Sequence, residues 1–119
     1  VDIVYLKDFT ETPGGRYARQ HDGPGYSGEE FRQQVLEPAW IAALEAKKPF
    51  LVDLDGTAGL PGAFIDEAFG GLVERFCIKT YSELMDLIKI KCDTEPYILE
   101  DIEESITDRI AIFNRRSIH

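Results

Sequence analysis

The sequence predicts an α/β domain: a small, mixed but mostly parallel sheet covered by helices. Three observations carry this. Strand-like runs alternate with amphipathic helical stretches along the chain. Residues 50–54 form a nearly continuous apolar run, as a buried central strand requires. The start of the chain reads as a hairpin, which gives the sheet an antiparallel beginning. At 119 residues the chain suits one domain spanning 1–119, and an apolar content of 44% is enough to build a core.

The elements follow in order. Residues 3–6 read as a short strand opened by β-branched Ile3 and Val4, and Pro13-Gly14-Gly15 turns it toward a second strand at 16–20. Ser27-Gly28-Glu29-Glu30 is a capping box that opens a helix. Its apolar stripe is Phe31, Val35, Leu36, Trp40, Ile41 and Leu44, and Pro38 inside it predicts a kink or a split. After the strand at 50–54 comes a loop rich in Gly and Pro. Phe64, Ile65, Ala68, Phe69, Leu72, Val73 and Phe76 then recur at helical spacing. Thr80-Tyr81-Ser82-Glu83 is a second capping box, and residues 87–92 alternate as a strand. Thr94 or Asp93 is expected to cap a final helix with Pro96 in its first turn and Ile98, Ile102, Ile106, Ile110 and Phe113 inward.

Composition narrows the function. Lys and Arg number 13 against 22 Asp and Glu, for a net charge of -9. Nucleic acids and anionic membranes are polyanions, so neither is expected as a partner. No apolar run approaches the roughly 20 residues of a membrane span. Much of the charge falls in the last helix, where Asp93, Glu95, Glu100, Asp101, Glu103, Glu104 and Asp108 precede the first base, Arg109. Such a face is either simply solvated or a docking surface for a basic partner. Cys77 and Cys92 form no CxxC or zinc pattern, so two reduced, half-buried thiols in a cytoplasmic protein are expected. No cofactor is expected. His21 has no evident catalytic partner, and Gly59-Leu60-Pro61-Gly62 lacks the Lys of a phosphate-binding loop.

Asp53-Leu54-Asp55-Gly56-Thr57, ending an apolar strand, is similar to the first motif of the haloacid-dehalogenase-like phosphatases. That resemblance implies a Mg²⁺-dependent phosphatase in which Asp53 attacks phosphorus and Asp55 serves as acid and base. The chemistry needs both carboxylates close together, one in line with phosphorus and one at the leaving group. The remainder of such a site is hard to find. Only 62 residues follow Thr57, no Lys follows the strand at 87–92, and the later acids lie on a helix.

A longer resemblance covers roughly residues 10–76. Pro13-Gly14-Gly15-Arg16, Ser27-Gly28-Glu29-Glu30-Phe31-Arg32, Val52-Asp53-Leu54-Asp55-Gly56 and Phe64-Ile65-Asp66-Glu67-Ala68-Phe69-Gly70-Gly71-Leu72 together resemble a bacterial STAS-like family, named for sulfate transporters and anti-sigma-factor antagonists. It implies a STAS-like fold and a non-catalytic, regulatory protein–protein interaction module. In the antagonists that this chain resembles, a histidine-kinase-like ATPase docks where the loop after the central strand enters a helix, at a phosphorylatable Ser. The matching positions are Gly62 and Ala63, which carry no hydroxyl. The resemblance therefore implies docking without that Ser at this loop, and the surface expected is Gly59, Leu60, Pro61, Gly62 and Ala63 with Asp66, Glu67 and Gly70. A small-molecule or nucleotide sensor is a third reading and needs a pocket near the same loop.

Gly70 stands out within this set. On a helical wheel the stripe of residues 64–76 is centred opposite Glu67 and Glu74, which places Gly70 on the outer face. A helix-interior Gly costs roughly 1 kcal/mol against Ala. Either a partner surface approaches the backbone there, or another element of this chain does, such as the short helix after Thr80.

Overall fold

The apolar run after Pro49 becomes β2 (Phe50–Asp53), the middle strand of a three-stranded sheet. The structure is a computed structural model that describes residues 3–14, 27–57 and 59–117. β1 (Ile3–Tyr5) lies parallel to β2 with Val4 opposite Val52. β3 (Ile88–Lys91) lies parallel on the other side with Ile90 opposite Val52. Alternation sends Val4, Phe50, Val52 and Ile88 into the core, while Ile3 and Tyr5 face the other way, 42% and 38% exposed. All strand pairs among the described residues are parallel. The hairpin strand expected at 16–20 lies outside the described residues.

A single helical turn, α1 (Leu6–Phe9), follows β1 directly and buries Leu6. The Ser27 capping box is formed as expected. The Glu30 amide donates to Ser27 Oγ at 3.1 Å, and the Ser27 amide donates to the Glu30 carboxylate at 3.4 Å. α2 (Gly28–Phe31) then passes through a π-helical turn (Arg32–Leu36) into α3 (Glu37–Ala46).

That π turn replaces the expected kink. In α geometry Pro38 would lack a hydrogen bond, and its ring would meet the Gln34 carbonyl. The wider turn, closed by the Glu37 amide donating to the Arg32 carbonyl, accommodates it without breaking the helix. The extra residue also rotates every later side chain. Ala39, Trp40 and Ala43 take the inner face, whereas Ile41 and Leu44, assigned to the buried stripe, are 45% and 49% exposed.

After β2 and its loop, α4 (Gly62–Ile65), a second π-helical turn (Asp66–Gly70) and α5 (Gly71–Phe76) form one continuous helix. The stripe from Phe64 to Val73 is buried as read, and Phe76 is packed against it partly exposed. α6 (Tyr81–Met85) starts at Thr80, whose hydroxyl accepts from the Glu83 amide at 3.1 Å. The return half of that box goes elsewhere: the Glu83 carboxylate accepts from the Lys79 amide at 3.1 Å.

α7 (Tyr97–Ser117) closes the domain, with Ile98, Ile102, Ile106 and Ile110 buried. It packs on the helix formed by α4, the second π turn and α5. No helix among the described residues is long and apolar enough to cross a membrane. Both cysteines are free, with Cys77 exposed and Cys92 buried, so the expected pair of half-buried thiols is corrected to one of each kind.

Candidate functional site

In a parallel sheet every strand ends on the same side, and the loops leaving β2 and β3 meet there. Parallel register sets Lys91 of β3 directly opposite Asp53 of β2. The Asp53 carboxylate accepts from the Asp55 amide at 2.9 Å, an Asx turn that starts the loop. Gly56 completes the turn with φ 90°, a left-handed conformation; a Cβ there would stand 3.0 Å from the Lys7 side chain.

Asp55 then takes four donors. Lys91 Nζ reaches Oδ2 at 2.7 Å, joined by the Asp93 amide at 3.1 Å. The Thr94 amide and hydroxyl reach Oδ1 at 3.0 and 2.8 Å. The Lys91 ammonium, with the Thr94 and Asp93 donors behind it, holds the Asp55 carboxyl well below the usual carboxylate range. Lys91 is pushed above the ordinary lysine range, first by Asp55 and then by Asp93, whose carboxylate is 3.0 Å away. Asp93 and Thr94 are thereby removed from the helix-capping role expected of them. α7 begins only at Tyr97, after Pro96. Their amides instead tie the start of the final helical segment to the β2 loop.

From this anchored base the loop runs out to Pro61. Gly59 has φ 123°, and the Thr57 hydroxyl donates to its carbonyl at 3.3 Å. Gly59 and Leu60 are partly exposed; Pro61, Gly62 and Ala63 are exposed. No side chain among the described residues caps the helix that begins at Gly62.

The rest of the expected surface turns inward. Glu67 is only 8% exposed and receives Arg32 at 3.0 Å; Arg32 also pairs with Glu37. Asp66 is half-buried and pairs with Arg109 at 2.7 Å, and Arg109 reaches Glu74 at 3.3 Å. Gly70 is buried, with Arg109 Cγ 3.0 Å from the position a Cβ would occupy. Its missing side chain is therefore explained within this chain, by α7, not by an external partner and not by the helix after Thr80. Gly71 does the same for Arg32, whose Nε would lie 2.6 Å from a Cβ. The wheel misplaced Glu67 and Gly70 because it assumed 100° per residue, and the second π turn breaks that phase at those positions.

No local sequence pattern points to the pairing roles of Lys91, Arg32 and Arg109. The signal for Lys91 was available in the pairing of β2 with β3. The arginines reach acids 35 and 43 positions away, beyond any local pattern. Among the described residues, no three His, Cys, Asp or Glu side chains are grouped to hold a metal ion.

A parallel sheet with helices between its strands and a protruding loop at the strand ends defines a small α/β domain of STAS-like architecture. A family model described as a STAS-like domain of unknown function (DUF4325) matches residues 27–96, and the chain belongs to that family. The match opens on the Ser27 cap and closes at Pro96, so it contains the Asp55 anchor but neither β1 nor α7. Neither a curated protein nor a solved structure matches the chain.

Proposed function

We propose that this domain is a non-catalytic regulatory module that binds a protein partner through the loop 59–63. The observation that carries the reading is the anchored, outward loop. Asp55 fixes its base with four donors, while Pro61, Gly62 and Ala63 stand exposed at the strand ends. Holding the base of an exposed loop in place lowers the conformational freedom lost on binding, which favours its use as a recognition surface. The partner class proposed is a histidine-kinase-like ATPase, from the resemblance to anti-sigma-factor antagonists. Docking would use no phosphorylated Ser, since Gly62 and Ala63 carry no hydroxyl. Glu67 and Gly70 leave the proposed surface because both are buried.

Gly62 provides the test. A Cβ there meets nothing within 4 Å, so Gly62→Arg keeps the fold and changes only the surface. The intact chain and this variant are compared for binding to a purified ATPase of that class. Binding by the wild type and its loss in the variant supports the reading. Equal binding by both removes the loop from the interface, and no binding by the wild type removes the partner class.

The phosphatase reading gains one observation: a Lys within reach of both aspartates, 2.7 Å from Asp55 and 3.8 Å from Asp53. The hydrogen bonds of Asp55 weigh against it. An acid–base residue needs a carboxylate oxygen free for the transferred proton, and both Asp55 oxygens are committed to Lys91, Asp93 and Thr94 donors. Turnover of a generic phosphate ester with Mg²⁺, lost in Asp53→Asn, would establish that activity and overturn the non-catalytic reading.

A further inference from the structure

We draw no further inference here: the strongest candidate, the apolar groove of about 310 Å³ beside β1 lined by Val4, Val35, Pro38 and Ala39, carries none because nothing among the described residues shows what covers it.

Discussion

Lys91 stands opposite Asp53 across the β2–β3 ladder, yet its ammonium binds Asp55 at 2.7 Å, nearer than Asp53 at 3.8 Å. The Asx turn explains this preference. It commits Asp53 Oδ1 to the Asp55 amide and swings the Asp55 carboxylate back over the end of β3. One ion pair therefore joins the loop after β2 to the end of β3, 36 positions apart in sequence.

The pH dependence of stability follows from that pair. A carboxyl lowered in the folded state stabilises the fold fully above its unfolded value, about 4, and loses that contribution as pH falls through the folded value. Thermal melts of wild type and Asp55→Asn are expected to differ most at neutral pH and to converge as the solution is acidified below about pH 4. Lys91, raised in the folded state, gives the opposite limb. Its contribution is full below about pH 10.4 and fades as pH rises beyond it. A difference between the proteins that stays constant down to the acid limit would show that Asp55 ionisation is not what holds the loops.

The buried Arg32–Glu67 pair is expected to be costly to break from one side. Their side chains are 11% and 10% exposed, and Arg32 Nε is already buried without a hydrogen-bond partner among the described residues. Among the described residues, Glu67→Leu leaves that guanidinium with Glu37 alone. The expected loss lies toward the lower end of roughly 3–5 kcal/mol in denaturant unfolding. Arg32→Met combined with Glu67→Met should recover part of it, because the carboxylate then left over, Glu37, keeps Arg75 at 3.7 Å. A double variant weaker than the sum of the singles would contradict this account.

Three glycines form a graded series. A Cβ at Gly28 would stand 2.5 Å from the Phe64 carbonyl oxygen, a backbone atom that moves only if the helix moves. Gly28→Ala is expected to cost roughly 1–3 kcal/mol. At Gly71 the obstacle is the Arg32 side chain, so Gly71→Ala should cost less than Gly28→Ala while weakening the Arg32–Glu67 pair. Gly62→Ala meets nothing and should be neutral or stabilising by about 0.4–1 kcal/mol. Chemical denaturation of the three variants checks the order; a Gly28 variant as stable as the Gly62 variant would refute the close approach of α2 and α4.

α7 lies beyond the matched family span, yet four of its isoleucines are buried in the core. Ile106→Ala should cost roughly 2–5 kcal/mol. A chain ending at Pro96 should lose cooperative unfolding by circular dichroism, since the stripe facing α4 and α5 would be exposed to water. Retention of a sharp transition in the shortened chain would make α7 an appendage.

Local patterns read well where local forces decide. Ser27 with Glu30 is a contact between neighbours in sequence, so its box was legible. The stripes of α4–α5 and α7 were legible because burial of apolar side chains follows helical periodicity. The phase of α3 was not. Pro38 announced a disturbance, but whether the chain kinks or takes an extra residue into a π turn depends on packing against the sheet and the second long helix. The same limit hid Glu67 and Gly70, whose faces shift with the other π turn.

The site divides in the same way. The Asp53-x-Asp55-Gly56 turn and the Gly- and Pro-rich loop are properties of a few adjacent residues, and the sequence by itself determined them, together with the α/β class and the family. The tertiary structure alone decided what those carboxylates do. Parallel pairing of β2 with β3 delivers Lys91, and the turn after β3 delivers the Asp93 and Thr94 amides, so Asp55 becomes an anchor between loops. It likewise decided that Gly70 makes room for Arg109 of α7. Ion pairs and close approaches between distant segments depend on distances in space, and these exist only once the strands have paired and the helices have packed.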